Sequence, residues 1–198
     1  MLLSVVELNC PGCGARVSTE QKTCEWCHKP IIISSFDNIY GMSVAEINKY
    51  ANTYKKALGE NPDNDNLKKS VAMCYLKLGL YDKAYASFNE AIEDNFEDSE
   101  TYFYAAVSLL QGKKACLAKR ETINKILEYV DAANALEPKG IYYYFMAYVK
   151  YDFFERKYIN HSPNYRECLF LAKQNNVSES DIKMIFDILK TTKPGVFD

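Results

Sequence analysis

The sequence predicts a mainly α-helical protein that begins with a small β-structured module. Near the N-terminus, two Cys-x-x-Cys pairs are separated by ten residues, a pattern typical of small modules that fold around a metal ion. From residue 43 onward, apolar residues recur at intervals of three and four, which is the period of amphipathic helices. Small and aromatic residues also recur at the spacing of a repeated helix pair, so the helices are expected to pack as helix-turn-helix units.

The four cysteines of the two pairs are the candidate metal site. A Cys-x-x-Cys pair brings two thiolates close enough to lie about 2.3 Å from one zinc ion. The predicted ligands are Cys10, Cys13, Cys24 and Cys27. This set contains no other ligand type and leaves no open coordination position. It therefore favours one zinc ion with a structural role over a catalytic zinc that acts as a Lewis acid. The spacing alone does not distinguish zinc from iron.

Other interpretations of the four cysteines are weaker. Free or disulfide-bonded cysteines are disfavoured, because a segment of about 25 residues cannot build its own core without a metal. A thioredoxin-like redox motif would need a strand-to-helix unit that this stretch does not resemble. Gly14 is expected to take a positive φ after the first pair, and His28 occupies the matching turn position after the second. His28 is therefore interpreted as a turn residue rather than as a fifth ligand.

Residues 10–31, CPGCGARVSTEQKTCEWCHKPI, resemble the short zinc ribbon found at the N-termini of many bacterial proteins. The resemblance implies two knuckles joined by a small hairpin. It implies no single function, because such ribbons serve as protein-binding, nucleic-acid-binding or purely structural modules. The predicted ribbon covers residues 1–34, with residues 31–33 as a closing strand, and residues 35–42 are predicted to be a linker.

Length, composition and charge limit the class of protein. The chain has 198 residues, of which 48% are hydrophobic and 25% charged, which suits one elongated folded domain with a small appendage. A net charge of −2 argues against non-specific binding to nucleic acid or anionic membranes. The first eight residues do not form a secretory signal, and no apolar run reaches the length of a membrane span. Three further cysteines, Cys74, Cys116 and Cys168, are expected to be unpaired, as is typical of a reducing compartment. Together with the missing signal, they predict a cytoplasmic protein.

The helical part begins with a clear start signal. Ser43 and Glu46 form a potential capping box, and residues 44–58 carry apolar side chains at helical spacing. The turn-forming residues 61–64 then end this helix. In the next segment, seven residues have the spacing of a 34-residue helix-turn-helix repeat: Ala72, Tyr75, Gly79, Tyr81, Ala84, Phe88 and Ala91.

This segment, AMCYLKLGLYDKAYASFNEAIEDN, closely resembles a tetratricopeptide repeat, although Phe96 stands where the family usually has a closing proline. The preceding helix, with Tyr50, Tyr54, Ala57 and Pro62, resembles the second half of the same motif. The resemblance implies a right-handed α-solenoid. The predicted helical domain, residues 43–198, consists of a half repeat at 43–62, a repeat at 63–97, a repeat with an insertion at 98–138, a divergent repeat at 139–177 and a capping helix at 178–191.

The last two units have looser patterns. Residues 141–157 are predicted to form the first helix of the divergent repeat, and Ser162 with Pro163 to open the second. Ser180 and Asp181 then start the final amphipathic helix. We expect that helix to cap the solenoid, since a terminal repeat must cover an exposed apolar face. A free helix that binds a partner is the alternative.

The tetratricopeptide resemblance also implies a function, namely binding of a peptide or protein on the concave face. In the family, the residues that point into this groove lie on the first helix of each pair. The corresponding residues here are Lys69, Met73, Leu76, Phe103, Val107, Leu110, Tyr142, Phe145 and Val149. Their mostly apolar character suits an amphipathic helix or an extended hydrophobic segment. Met73 stands where the chaperone-binding members need an Asn, which argues against a chaperone tail.

Two further features each allow two interpretations. Eight of the thirteen residues at 142–154 are aromatic and occupy every face of the predicted helix, so packing is favoured over an aromatic anchor for a partner. Four basic residues, Lys113, Lys114, Lys119 and Arg120, lie in the insertion. They form either a solvated patch or a charged rim that selects a charged partner or contacts phosphate.

The sequence does not indicate an enzyme. It has no glycine-rich phosphate loop, and its two histidines are His28 and His161. Cys168 and His161 could approach each other, but an ordinary buried thiol is the favoured interpretation. The main hypothesis is a cytosolic adaptor that binds a protein segment. The alternative is a nucleic-acid-associated accessory protein in which the ribbon and the basic insertion act together, with strongly salt-dependent binding.

Overall fold

The computed structural model describes residues 5–197 and divides into two compact units, Met1–Phe96 and Glu97–Asp198. The chain is mainly α-helical with a small N-terminal β part, as the sequence predicted. In the described part of the chain, no helix is both long enough and apolar enough to cross a bilayer.

Within residues 5–96, the β part of the first unit is one hairpin. Strands β1 (Glu7–Asn9) and β2 (Arg16–Ser18) pair antiparallel, with Leu8 opposite Val17 and both side chains buried. The two strands flank the first Cys-x-x-Cys pair, which therefore lies in the turn of the hairpin. The expected arrangement, in which a hairpin joins the two cysteine turns, is not observed in the described residues. Residues 31–33 do not form the expected strand: an isolated bridge, Thr23 to Pro30, precedes them, and Ile31 and Ile33 are fully buried.

The stretch expected to be a linker, residues 35–42, is packed into the first unit. It contains the short helix α1 (Asp37–Tyr40), and Phe36 and Ile39 are 1% and 0% exposed. The Lys77 ammonium lies 5.0 Å from the centre of the Tyr40 ring and donates a hydrogen bond to the Tyr40 carbonyl. Residues 35–42 are therefore part of the core of the first unit, because their apolar side chains are buried.

Three longer helices complete the first unit: α2 (Val44–Glu60), α3 (Asp65–Lys77) and α4 (Tyr81–Asp94). Helix α2 begins with the expected capping box of Ser43 and Glu46. Helix α3 packs against both α2 and α4. Ala72 and Ala84 are fully buried, and Gly79 takes a φ of +72° in the turn between α3 and α4. Small residues thus allow the close helix contact that the repeat spacing predicted.

Within residues 97–197, the second unit contains five α-helices: α5 (Ser99–Ser108), α6 (Arg120–Leu136), α7 (Gly140–Val149), α8 (Tyr165–Gln174) and α9 (Glu179–Leu189). Helix α5 packs with α6, and α7 packs with α8. A 3₁₀ turn, Ala115–Leu117, lies in the insertion between α5 and α6. Helix α7 continues through a π-helical turn, Lys150–Phe154, and a 3₁₀ turn, Glu155–Lys157.

Two helix starts differ from the expected ones. Helix α8 is capped by Asn164, whose side chain accepts hydrogen bonds from the amides of Arg166 and Glu167, so it does not start at Ser162 and Pro163. Helix α9 is capped by Ser178, two residues before the expected start at Ser180. In both cases a complete capping box fixes the start.

Helix α7 is buried on almost every side. Helix α9 lies against it, with the rings of Tyr148 and Phe186 5.4 Å apart. The C-terminal segment also contacts it, since the rings of Tyr144 and Phe197 are 5.5 Å apart. A helix that is apolar all round belongs in the interior of a domain. The aromatic run therefore serves mainly for packing.

Candidate metal centre and exposed basic insertion

The four cysteines of the two pairs lie together in the first unit. The Sγ atoms of Cys10 and Cys27 are 3.6 Å apart, and those of Cys13 and Cys24 are 3.7 Å apart. All four Sγ atoms lie within 4.8 Å of one another. In a tetrahedral site with bonds of about 2.3 Å, two sulfurs are separated by about 3.8 Å. The cluster therefore has the dimensions needed to hold one metal ion.

Both cysteine pairs lie in turns of the same backbone conformation. The Gly14 amide donates to the Cys10 carbonyl at 2.8 Å, and the His28 amide donates to the Cys24 carbonyl at the same distance. Gly14 has a φ of +85° and His28 a φ of +56°. The positive φ values confirm the two turn positions predicted from the sequence. Histidine is enriched at positive φ, so the turn explains the presence of His28 and no role as a ligand is needed.

The electrostatics of the cluster favour a bound cation. Backbone N–H groups, first that of Cys27 and then that of Trp26, donate to the Cys24 sulfur and lower the pKa of its thiol to about 7. The Lys29 amide acts in the same direction on Cys27, but burial and the three neighbouring thiols raise the pKa of Cys27 to about 12. Four thiolates this close would repel one another, and a divalent metal ion would remove that repulsion.

The segment that follows the cluster is attached to the helices by side-chain hydrogen bonds. Tyr54 of α2 donates to the Ile31 carbonyl at 2.6 Å and is 0% exposed. The Ser70 hydroxyl of α3 accepts from the Ile33 amide at 3.1 Å and donates to its carbonyl at 3.2 Å. In a β-sheet, a neighbouring strand would pair with these backbone groups of Ile31 and Ile33. Here the hydroxyls of Tyr54 and Ser70 pair with them instead, which explains why residues 31–33 form no strand.

A second set of contacts attaches the turn of the second cysteine pair to α2. Tyr50 donates to the Pro30 carbonyl at 2.9 Å. Lys29 pairs with Glu46 at 2.5 Å, and this contact, together with the capping bonds from Ser43, lowers the pKa of Glu46 to about 2. The predicted ribbon is therefore packed against α2 and α3 of its unit and is not separated from them by a linker.

Removing the Tyr54 hydroxyl tests this attachment. We expect Tyr54→Phe to lower the free energy of unfolding by about 1–3 kcal/mol, because the buried Ile31 carbonyl would lose its partner. Tyr143→Phe on α7 is the matched control, with an expected change within about 0.5 kcal/mol. Urea unfolding of both variants measures the difference. Equal effects of the two substitutions would show that the hydrogen bond does not stabilise the attachment.

The residues expected to line the groove are not exposed. Eight of them, Met73, Leu76, Phe103, Val107, Leu110, Tyr142, Phe145 and Val149, are at most 3% exposed, whereas Lys69 is half-buried. In the second unit, the Phe103 ring stacks on Tyr142 at 4.5 Å and contacts Phe145 edge-on at 5.7 Å. These eight side chains are core residues in this structure, because neighbouring segments cover the helix faces that an open groove would leave free.

The basic residues of the insertion are on the surface. Lys113, Lys114, Lys119 and Arg120 are all exposed, and Leu117 among them is 73% exposed. The Arg120 guanidinium lies 4.7 Å from the centre of the Phe154 ring. A cation–π contact of this kind helps to fix the insertion against the aromatic segment.

Cys168 is an ordinary buried thiol. It is 0% exposed, and burial raises its pKa to about 11, which makes the thiolate scarce at neutral pH. Sequence reasoning missed two buried charged residues nearby, Lys150 and Asp152. Their only sequence signal is the presence of charges inside an otherwise aromatic run.

The helix pair α3–α4 and its neighbours allow a comparison with known families. Residues 51–109 match the tetratricopeptide repeat family. The matched stretch includes helices α3 and α4 and does not include the cysteine cluster. Solved structures similar to the chain include two of MamA. MamA from MSR-1 has 13% identity and a TM-score of 0.44, over 79% of this chain and 78% of that one. MamA from AMB-1 has 12% identity and a TM-score of 0.44, over 81% and 82%. No significant match was found among curated proteins.

Proposed function

We propose that the protein is a cytoplasmic scaffold that binds a protein or peptide partner and carries one structural zinc ion. The tetratricopeptide repeat at residues 51–109 supports the scaffold most strongly, because such repeats are typically non-enzymatic modules for protein–protein interaction. The cysteines of the described chain are free thiols, which fits a reducing compartment.

The zinc proposal is supported by the geometry of the cysteine cluster. Four sulfurs at tetrahedral separations, with no carboxylate or imidazole among them, suit a closed structural site. The hydrogen bonds from Tyr54 and Ser70 link this site to α2 and α3. The metal would thus stabilise the N-terminal side of the repeat rather than take part in chemistry.

We place the partner contacts on the exposed basic insertion rather than in the expected groove. A concave-face site would require α5 and α7 to be uncovered, since their groove residues are buried. The insertion offers four cations around the exposed side chain of Leu117. Charge complementarity therefore favours an acidic protein segment that presents an apolar side chain.

Charge reversal in the insertion tests this placement. The affinity of the variant Lys113→Glu/Lys114→Glu/Lys119→Glu for the partner should be lower by about tenfold or more. Lys49→Glu/Lys55→Glu, which reverses two exposed charges on α2, is the matched control and should bind as the wild type does. The measurement is capture of the partner from native extract by the tagged full chain, followed by titration of the purified partner.

Two outcomes would contradict the proposal. If the triple variant binds the partner as tightly as the control does, the contact surface lies elsewhere. If nuclease treatment releases the captured material, the nucleic-acid alternative replaces the protein partner, and its binding should fall steeply with salt.

A further inference from the structure

The second unit contains a cavity next to a buried lysine. Its volume is about 360 Å³, within the range of small-molecule sites. The lining residues are Lys150, Phe154, Glu155, Ile159, Asn160, His161, Ser162, Asn164 and Tyr165. Lys150 is the first residue of the π-helical turn after α7 and is only 4% exposed. Such turns interrupt α-helices frequently at functional sites.

The hydrogen-bond partners of Lys150 carry no negative charge. Its Nζ donates to the Pro163 carbonyl at 2.7 Å and lies 3.2 Å from Nδ1 of His161. Nδ1 can accept this bond only if the imidazole is neutral with its proton on Nε2. Burial, followed by the Lys150 charge, lowers the pKa of His161 and so favours that neutral form.

Lys150 has no carboxylate partner in the described part of the chain. Asp131 and Glu167 influence the Lys150 pKa from a distance, but within residues 5–197 no carboxylate forms an ion pair with Nζ at 4.0 Å or less. Burial lowers the pKa of Lys150. Charged groups buried in proteins are normally paired with opposite charge. The lysine therefore has one N–H and its charge available for an anion in the cavity.

The same π-helical turn provides an internal comparison. Asp152, two residues further on, is 2% exposed and fully matched: it accepts from Arg156 and from the Cys116 amide, both at 2.8 Å. One buried charge of the turn is thus neutralised within the chain, whereas Lys150 faces a cavity. The difference points to a ligand as the missing counter-charge.

The walls of the cavity indicate the class of ligand. Phe154, Ile159 and Tyr165 supply apolar surface, and the Phe154 ring lies 4.2 Å from the His161 ring. Glu155 also lines the cavity, and its negative charge favours a monoanion over a dianionic phosphate. We infer that the cavity binds a small organic carboxylate, whose oxygens accept from Lys150 and whose apolar part packs against these three side chains.

Titration of the full chain with benzoate tests this inference by calorimetry. Benzoate should bind at one site, whereas benzamide, which has the same shape without the charge, should bind about tenfold or more weakly. Lys150→Met should weaken benzoate binding to a similar extent. Glu155→Gln, a substitution at an exposed position, should tighten it, which keeps the inference testable if Lys150→Met fails to fold.

Four outcomes would overturn the inference: no benzoate binding at millimolar concentration, equal binding of benzoate and benzamide, unchanged binding by Lys150→Met, or weaker binding by Glu155→Gln. Tighter binding of phenyl phosphate than of benzoate would overturn the assignment of a carboxylate and indicate a phosphate ester instead.

Discussion

Replacing Cys24 and Cys27 together by serine should abolish binding of the proposed zinc ion and unfold the N-terminal part of the first unit. Apparent binding free energies of structural zinc reach roughly 10–16 kcal/mol in small finger peptides, more than a hairpin of this size can replace. The melting temperature should fall by about 10 °C or more, because the contacts of the ribbon with α2 and α3 are lost as well. Metal analysis and hydrogen exchange of residues 6–33 measure the two effects.

Cys116→Ser is the control for that experiment, because Cys116 lies outside the cluster in the second unit. It should keep one metal ion per chain and full amide protection at residues 6–33. The structural role of the cluster would be refuted if the double variant retained its metal, or if it lost the metal without losing amide protection.

Gly140→Ala should have the second large effect, a loss of about 3 kcal/mol in the free energy of unfolding. A Cβ at this position would lie 2.5 Å from the Val177 amide nitrogen, 2.7 Å from the Asn175 carbonyl oxygen and 2.8 Å from the Ala172 carbonyl oxygen. All three are backbone atoms in the last turn of α8 or just after it, so the start of α7 and the end of α8 would have to separate.

Gly59→Ala on α2 is the matched control for Gly140→Ala. A Cβ at Gly59 meets no atom within 4 Å, so alanine should stabilise the helix by about 0.5–1 kcal/mol. Opposite signs for the two substitutions in urea unfolding are the expected result. A neutral or stabilising Gly140→Ala would show that α7 and α8 do not approach this closely.

The local features of the fold were predictable because short-range chemistry determines them. The capping box of Ser43 and Glu46 fixes the start of α2, and small residues such as Ala72 and Ala84 mark the contact of α3 with α4. The clustering of the four cysteines and the positive φ of Gly14 follow from residue type and spacing alone. In each case the residues that determine the feature are close together in the sequence.

The features that were not predictable depend on segments distant in the sequence. The expected groove residue Phe145 is buried because α5 and neighbouring segments pack around α7, and repeat spacing contains no information about that cover. The expected linker is core because Phe36 and Tyr40 contact Lys77 of α3. The position of Lys150 in a cavity depends on a π-helical turn, for which the sequence has no local signal.

X-ray absorption at the metal edge of the purified full chain is the most direct test of the cysteine cluster as a closed structural zinc site in an interaction scaffold. The edge energy identifies the metal. The account predicts zinc with four sulfur neighbours at about 2.3 Å and no lighter ligand. A site with three sulfurs and an oxygen would have an open position and would contradict the structural role, as would iron in place of zinc or a protein purified without any metal.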